Sequence, residues 1–554
     1  FTLGQKDVFS TFHIDQELYG REEEMKRLNE CFRQVSENQV PNMMVLVRGY
    51  SGIGKTKLIN EVQKPLTRQR GYFISGKFEQ YKKHIPYAAF IQAFQQLVLQ
   101  ILTEPQSRIE YWKNKLLDAL SGRGQVIIDV IPQIEFILGP QPPVPPMGVI
   151  ETQNRFNAVL QSFIRVFAHQ DHPLIIFLDD LQWADTTSNT IIELLMTEPK
   201  NEHLFLIGAY RDNEVDKSHP LTHVIERIES KKHIEIIQLG ELKFESVNHL
   251  ISKSLGCSDD KSIPLAQAVM SKTKGNPFFV IQMLFELASQ KLIYFNFEKG
   301  QWEWVISKIE ELDISDNVVD MMTERIQKLP PATQKLLAIA SSVGNVFNLS
   351  LLSLVYGKTK AETYRVLWYA IKDELMIQLG NEYKWNWPDV EEQSLNDMIY
   401  DYQFKFLHDR VQQASYQLYN RDQQINTHLK IGRIMLQNTS STAELDEKLL
   451  DILGQYRPAS HLLKNFDEKD RLIHLAIQGA QKAKFSAAYD TACNFLYMAE
   501  SLLPDQPWET YYENVFNLYK LLSECEYLRF NFSKAEGMYQ MILSHARTEI
   551  DKIS

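Results

Sequence analysis

Short apolar runs alternate with longer amphipathic stretches through the first 240 residues of the chain. The runs fall at residues 43–47, 72–78, 173–179, 204–210 and 234–239. Leu174-Ile175-Ile176-Phe177-Leu178 is apolar throughout, which suits a strand buried on both faces of a parallel sheet. Strands alternating with helical stretches predict a doubly wound α/β domain over 17–242, after a linker at 1–16. From 243 to 290 the pattern turns helical, and Gly275-Asn276-Pro277 should end one helix and start the next. Residues 292–295 and 302–305 read as a hairpin that completes a helical lid at 243–316. Residues 317–440 predict helices with a second hairpin, at 375–379 and 383–387 with Gly380-Asn381 turning between them. That is the plan of a winged-helix domain. The remainder, 441–554, is helical. Phe485-Ser486-Ala487-Ala488 and Phe532-Ser533-Lys534-Ala535 repeat an aromatic-Ser-x-Ala pattern with the final alanines 47 positions apart, as in tetratricopeptide-like helical repeats. Gly139-Pro140-Gln141-Pro142-Pro143-Val144-Pro145-Pro146 should be an extended surface loop.

Composition narrows the function. The 554 residues are 44% hydrophobic, enough for several cores. The net charge of −11 argues against a general nucleic-acid binder. Cys31, Cys257, Cys493 and Cys525 show no metal-ligand spacing, which fits a reducing, cytoplasmic setting. No apolar run approaches the length of a membrane span. The chain opens on Phe1 and closes inside a helical pattern, so it is expected to be a piece of a longer protein.

The chemistry begins at Gly49-Tyr50-Ser51-Gly52-Ile53-Gly54-Lys55-Thr56, directly after the first apolar run. This G-x-x-x-x-G-K-T sequence is a phosphate-binding loop between strand and helix. Gly49, Ser51, Gly52, Ile53, Gly54, Lys55, Thr56 and Lys57 are therefore candidate nucleotide contacts. Lys55 can reach the β- and γ-phosphates, and the Thr56 hydroxyl can ligate Mg²⁺. The third run ends in Asp179-Asp180. Asp179 suits the magnesium ion, and Asp180 can orient or deprotonate the attacking water. The fourth run ends in Arg211, placed to sense a γ-phosphate. Upstream, Leu18-Tyr19-Gly20-Arg21-Glu22 precedes an amphipathic helix.

The order Tyr-Gly-Arg-Glu, phosphate loop, Asp-Asp strand, strand-end Arg and Gly-x-Pro resembles the STAND class of signal-transducing ATPases, relatives of AAA+ proteins. Gly76-Lys77-Phe78, Phe177-Leu178-Asp179-Asp180-Leu181-Gln182-Trp183-Ala184-Asp185 and Phe406-Leu407-His408-Asp409-Arg410-Val411-Gln412-Gln413-Ala414 are similar to the ATPase module of bacterial sensor proteins. Those proteins join it to a serine/threonine kinase, a GAF domain and a histidine kinase. The resemblance implies that Gly20 and Arg21 lie along adenine and ribose, that Pro277 packs on the base, and that His408 reaches the β-phosphate of ADP.

The combined expectation is a slow ATPase that acts as a switch and uses ATP or ADP with Mg²⁺. ADP would hold the module closed, and ATP would open it for self-association, with output through covalently attached signalling domains. The alternatives are a nucleotide-regulated DNA-binding regulator, a ring-forming AAA+ remodelling ATPase, and a defence sensor of the same ATPase class.

Overall fold

The five apolar runs form one parallel sheet in the computed structural model, which describes residues 12–68, 71–80, 85–145, 149–311, 318–379 and 402–553. The strands are β1 (Asn42–Arg48), β2 (Tyr72–Lys77), β3 (Leu174–Asp179), β4 (Leu204–Tyr210) and β5 (Ile234–Gln238). Their order across the sheet is β2-β3-β4-β1-β5. β3 is thus flanked by β2 and β4, with Lys77 beside Asp179 and Gly208 beside Leu178. Every residue of β3 and β4 is buried, which explains why their runs are apolar without alternation.

Helices cover both faces. On one, Leu28 and Phe32 of Glu22–Ser36 and Leu58, Ile59 and Val62 of Lys55–Arg68 pack on Val45, Val47, Ile175, Phe177 and Ile207. On the other lie Ala88–Leu102 and Val149–Phe167, where Phe94, Phe163 and Phe167 meet edge to face. Residues 139–144 run extended between helices, as the prolines require.

The chain divides into two units. The first contains the sheet, its helices and the lid. The lid consists of Phe244–Leu255, Asp259–Thr273 and Pro277–Ser289, followed by the hairpin β6 (Ile293–Asn296) and β7 (Gln301–Trp304). Phe12 and Ile14, in the stretch read as a linker, are built into the lid core: Phe12 meets Phe285 and Trp302 edge to face, and Ile14 is 4% exposed.

The second unit takes Glu79–Pro86, Pro145–Phe156 and the described residues beyond 317. Helices Pro331–Val343, Leu349–Tyr356, Lys360–Lys372 and Asp409–Gln417 accompany a three-stranded antiparallel sheet of β8 (Val346–Asn348), β9 (Met376–Leu379) and β10 (Gln403–Phe406). β9 pairs with β10, a strand the apolar pattern did not reveal. The strand expected at 383–387 and its Gly380-Asn381 turn lie outside the described residues.

The C-terminal helices form two hairpins, Phe466–Phe485 with Tyr489–Glu500 and Tyr512–Leu528 with Phe532–His545. The left-handed residue in each turn is Ala487 or Phe530. Geometry therefore aligns Tyr489 with Phe532 and buried Ala492 with buried Ala535. The repeat is 43 positions, which corrects the 47 of the sequence pattern by one helical turn. The Phe485 motif ends a helix, whereas the Phe532 motif begins one.

One contact fixes where β2 ends. A Cβ on Gly76 would lie 1.8 Å from the Ala89 carbonyl oxygen, so β2 and the following helix touch through backbone. Gly76→Ala is expected to cost about 3 kcal/mol, the upper range for overpacking. Gly240→Ala, where nothing lies within 4 Å, should stay within about 0.5 kcal/mol. Urea unfolding of the two variants checks the contrast.

Candidate functional site

The phosphate loop joins β1 to the helix Lys55–Arg68. Its five successive carbonyls, 49 to 53, all accept from protein donors. Lys55 Nζ donates to Gly49 O at 2.7 Å and Tyr50 O at 2.9 Å. Asn276 Nδ2 donates to Ser51 O at 3.2 Å, and Phe278 N to Gly52 O at 3.2 Å. The guanidinium of Arg21 donates to Ile53 O at 3.2 Å and to Gly240 O at 2.5 Å. With its carbonyls drawn back, the loop has its N–H groups and the following helix N-terminus as its anion-binding surface. Gly54 adopts φ +98, and a Cβ there would meet nothing within 4 Å. The concavity of the loop is open at that point, as phosphate oxygens require.

The two residues expected to hold magnesium also meet. Thr56 Oγ1 donates to Asp179 Oδ2 at 2.7 Å. Burial holds the Asp179 carboxyl above the usual carboxylate range, and the neighbouring Asp180 charge adds to it. A dication would relieve both effects, so Thr56 and Asp179 fit Mg²⁺ by the chemistry of the donor set. Burial likewise lowers Lys55 to about 8, against the pull of Asp179 and Asp180.

Asp180 is surrounded. It occupies left-handed backbone, φ 55, a strained conformation for a non-glycine residue. Gln182 Nε2 donates to its Oδ1 at 2.8 Å, Arg211 Nε stands 3.5 Å from the same oxygen, and Lys77 Nζ lies 3.0 Å from Oδ2. Burial alone would raise its pKa, but Lys77 and Arg211 pull it down to about 2. Lys77 is raised in return, because Asp180 and Asp179 outweigh burial. Arg211, 3% exposed, also reaches Glu214 Oε1 at 2.8 Å and lies 4.6 Å over the Trp183 ring. Its backbone N–H donates to Gln182 Oε1. Arg211 is therefore a buried member of the Asp180 cluster, not a surface arginine.

Of the expected residues, Lys55, Thr56, Asp179, Asp180 and Arg211 meet at the carboxyl ends of β1, β3 and β4. Gly20 abuts the lid, since a Cβ there would lie 2.3 Å from Ser246 Oγ. Lys57 Nζ donates to Glu17 O. Pro277 is the first residue of its helix, between the two residues that bond the loop. His408 belongs to the second unit and caps Asp409–Gln417, with Nδ1 3.1 Å from Arg410 N and 2.8 Å from Asp409 Oδ1. Arg155 spends its guanidinium on Pro145 O. Sequence reasoning missed the roles of Lys77, Gln182 and Asn276. The available signal for Lys77 was its place at the end of the strand before the Asp-Asp strand.

Residues 17–207 match the AAA ATPase domain family, in agreement with the STAND-class, AAA+-related motifs. The chain is 28% identical to hybrid signal transduction histidine kinase G of Dictyostelium discoideum, in an alignment covering 99% of this chain and 19% of that protein. It is 24% identical to the peroxide stress-activated histidine kinase mak3 of Schizosaccharomyces pombe, over 56% of this chain and 15% of that one. The chain thus spans less than a fifth of these relatives. Among solved structures, a STAND protein with a tetratricopeptide repeat sensor from Pyrococcus horikoshii aligns at TM-score 0.41 and 15% identity, covering 98% of this chain and 72% of that one. The ORC2 protein of Aeropyrum pernix in ADPNP–ADP complexes aligns at TM-score 0.34 and 12% identity, over 78% and 98%. Among the described residues no helix is long and apolar enough to cross a membrane.

Arg21→Ala would leave the buried Ile53 carbonyl without this donor, at about 1–3 kcal/mol for the unsatisfied group, and would remove the bond to the exposed Gly240 carbonyl. The first unit should unfold at lower urea, and nucleotide affinity should fall with it. Tryptophan fluorescence during urea unfolding and isothermal titration with ADP check both expectations.

Proposed function

We propose that this chain, whose residues 17–207 form an AAA ATPase domain, is a nucleotide-driven switch with slow ATP hydrolysis. The observation that carries the reading is the clasp between lid and phosphate loop. Asn276 and Phe278 hold the carbonyls of Ser51 and Gly52, so a phosphate seated on the loop bears on the lid through two hydrogen bonds. A ligand shifts such an arrangement only by its differential affinity for the two states. About 5.5 kcal/mol of difference converts a population almost fully.

In this reading ADP lies along Gly20 and Arg21, under Pro277, with His408 on its β-phosphate, and holds the module closed. ATP opens it to self-association. Thr56 and Asp179 would hold Mg²⁺, which supplies neutralising charge on the phosphate oxygens. Lys55 stabilises the β- and γ-phosphates, Arg211 responds to the γ-phosphate, and Asp180 orients the attacking water and takes its proton. The Asp180 carboxylate already accepts from Gln182 and is ion-paired with Lys77 and Arg211. A carboxylate so engaged is a poor base, which supports slow turnover. The relatives named as histidine kinases support attached signalling domains as the output.

Two experiments test the assignments. Lys55→Ala should weaken ATP binding at least about 100-fold, whereas Asp180→Asn should keep binding and lower turnover about 10²–10⁴-fold, the range for a general base. Titration calorimetry with a phosphate-release assay separates the two, and normal ATP binding by Lys55→Ala would refute the site. For the latch, His408→Ala should speed ADP release about tenfold, the loss of one charge-assisted hydrogen bond, and increase self-association. An unchanged ADP off-rate would remove His408 from the mechanism.

A further inference from the structure

Two of the four cysteines meet inside the C-terminal helical repeats. Cys493 lies on Tyr489–Glu500 and Cys525 on Tyr512–Leu528, packed helices of successive hairpins. Side-chain bonds fix the antiparallel register of these helices. The Tyr519 hydroxyl donates to Glu500 Oε1 at 2.8 Å, and Arg529 Nε pairs with Asp490 Oδ1 at 2.6 Å. Cys493 follows Asp490 by three positions and Cys525 precedes Arg529 by four, one helical turn in each case. The register therefore sets the two thiols opposite one another, and they are hydrogen-bonded. Both are free and buried, Cys493 at 1% and Cys525 at 0% exposed. Their surroundings differ. The Arg529 guanidinium reaches the Cys493 sulfur. Arg529 and Asp490 are themselves 32% and 40% exposed, so Cys493 lies one layer beneath solvent. Cys525 is held far above the usual thiol range by its bond to Cys493 and by burial. A cation beside a thiol favours the thiolate, the form that attacks.

We propose that Cys493 and Cys525 are an oxidisable pair, which hydrogen peroxide converts to a disulfide that staples successive hairpins of the repeat. Cys493 is the attacking sulfur and Cys525 the resolving one. The Cys493 thiolate attacks one peroxide oxygen; the S–O bond forms as the O–O bond breaks. The departing hydroxide takes up the proton that Cys493 released and leaves as water. The Cys525 sulfur then attacks the sulfenic sulfur. The S–S bond forms, the S–O bond breaks, and that hydroxide leaves with the Cys525 proton as a second water. Two thiols lose two electrons in all, and one peroxide is reduced to two waters. Burial selects the oxidant. Hydrogen peroxide is close to water in size, whereas exchange with a peptide disulfide needs an accessible sulfur. In a reducing compartment such a bond is transient and serves sensing. Each hairpin of a repeat array contacts only its neighbours, so a staple here fixes one interface of the array.

The test treats the full 554-residue chain with hydrogen peroxide, alkylates the remaining thiols and maps the peptides by mass spectrometry. A Cys493–Cys525 disulfide should form within one chain, disappear with dithiothreitol, and leave buried Cys31 a thiol. In Cys525→Ser, dimedone should trap Cys493 as a sulfenic acid. In Cys493→Ser, Cys525 should stay a thiol. Arg529→Gln should slow disulfide formation about tenfold, the thiolate lost when a neighbouring cation is removed. Arg529→Lys keeps the cation and should stay near the parent. Thiols intact at both positions, under peroxide that oxidises Met541 (38% exposed), overturn the proposal. So does a disulfide that joins two chains. Equal rates in Arg529→Gln and the parent overturn the assignment of Cys493 as the attacking sulfur.

Discussion

Two adjacent carboxylates at the end of a buried strand are the constraint around which the first unit is organised. Asp179 and Asp180 are 5% and 4% exposed, and unpaired charges at that depth would not stay ionised. The sheet order supplies what they need. β3 lies between β2 and β4, so Lys77 and Arg211 reach Asp180 from its two neighbours, while β1, one strand further, delivers Lys55 and Thr56. This order brings three cations and a hydroxyl to one edge of the sheet. The cluster still leaves Asp179 short of positive charge, and that deficit makes the edge receptive to a magnesium–phosphate group.

The loop above this edge is held by what binds its carbonyls. Lys55 takes two, the lid takes two through Asn276 and Phe278, and Arg21 takes the last while also holding Gly240 after β5. The loop is therefore not an independent element. Its shape depends on the N-terminal segment, on the connection into the lid and on the lid helix itself. Gly52 shows how tight the arrangement is, since a Cβ there would lie 2.7 Å from Phe278 Cβ. A phosphate group that shifts the loop bears on all three through these hydrogen bonds.

Much of this was legible in the residues. The five apolar runs mark the five strands, and β3 and β4, buried throughout, carry no alternating pattern. Thr56 and Asp179 were legible because the phosphate-loop motif and the end of an apolar run fix their residue type and place. Lys77 was not, because its role comes from the β2–β3 adjacency, which is a property of topology and not of spacing. Asn276 was read as a helix breaker, and its amide reaches Ser51 across 225 positions of chain. β8 and β10, of three and four residues, are too short to show a period. The repeat was visible but slipped: Ala488 and Ala492 are one turn apart on either side of a helix start, and only the left-handed Ala487 and Phe530 set the register.

The central proposal is that one nucleotide acts on the core, the lid and the segment around His408 together. Amide hydrogen exchange, followed by mass spectrometry with and without ADP and Mg²⁺, measures this directly. The account predicts that ADP slows exchange in three places at once: the loop at 49–57, the lid junction at 275–279 and the segment at 404–411. Protection confined to the loop would contradict it and leave a phosphate-binding hydrolase without a switch.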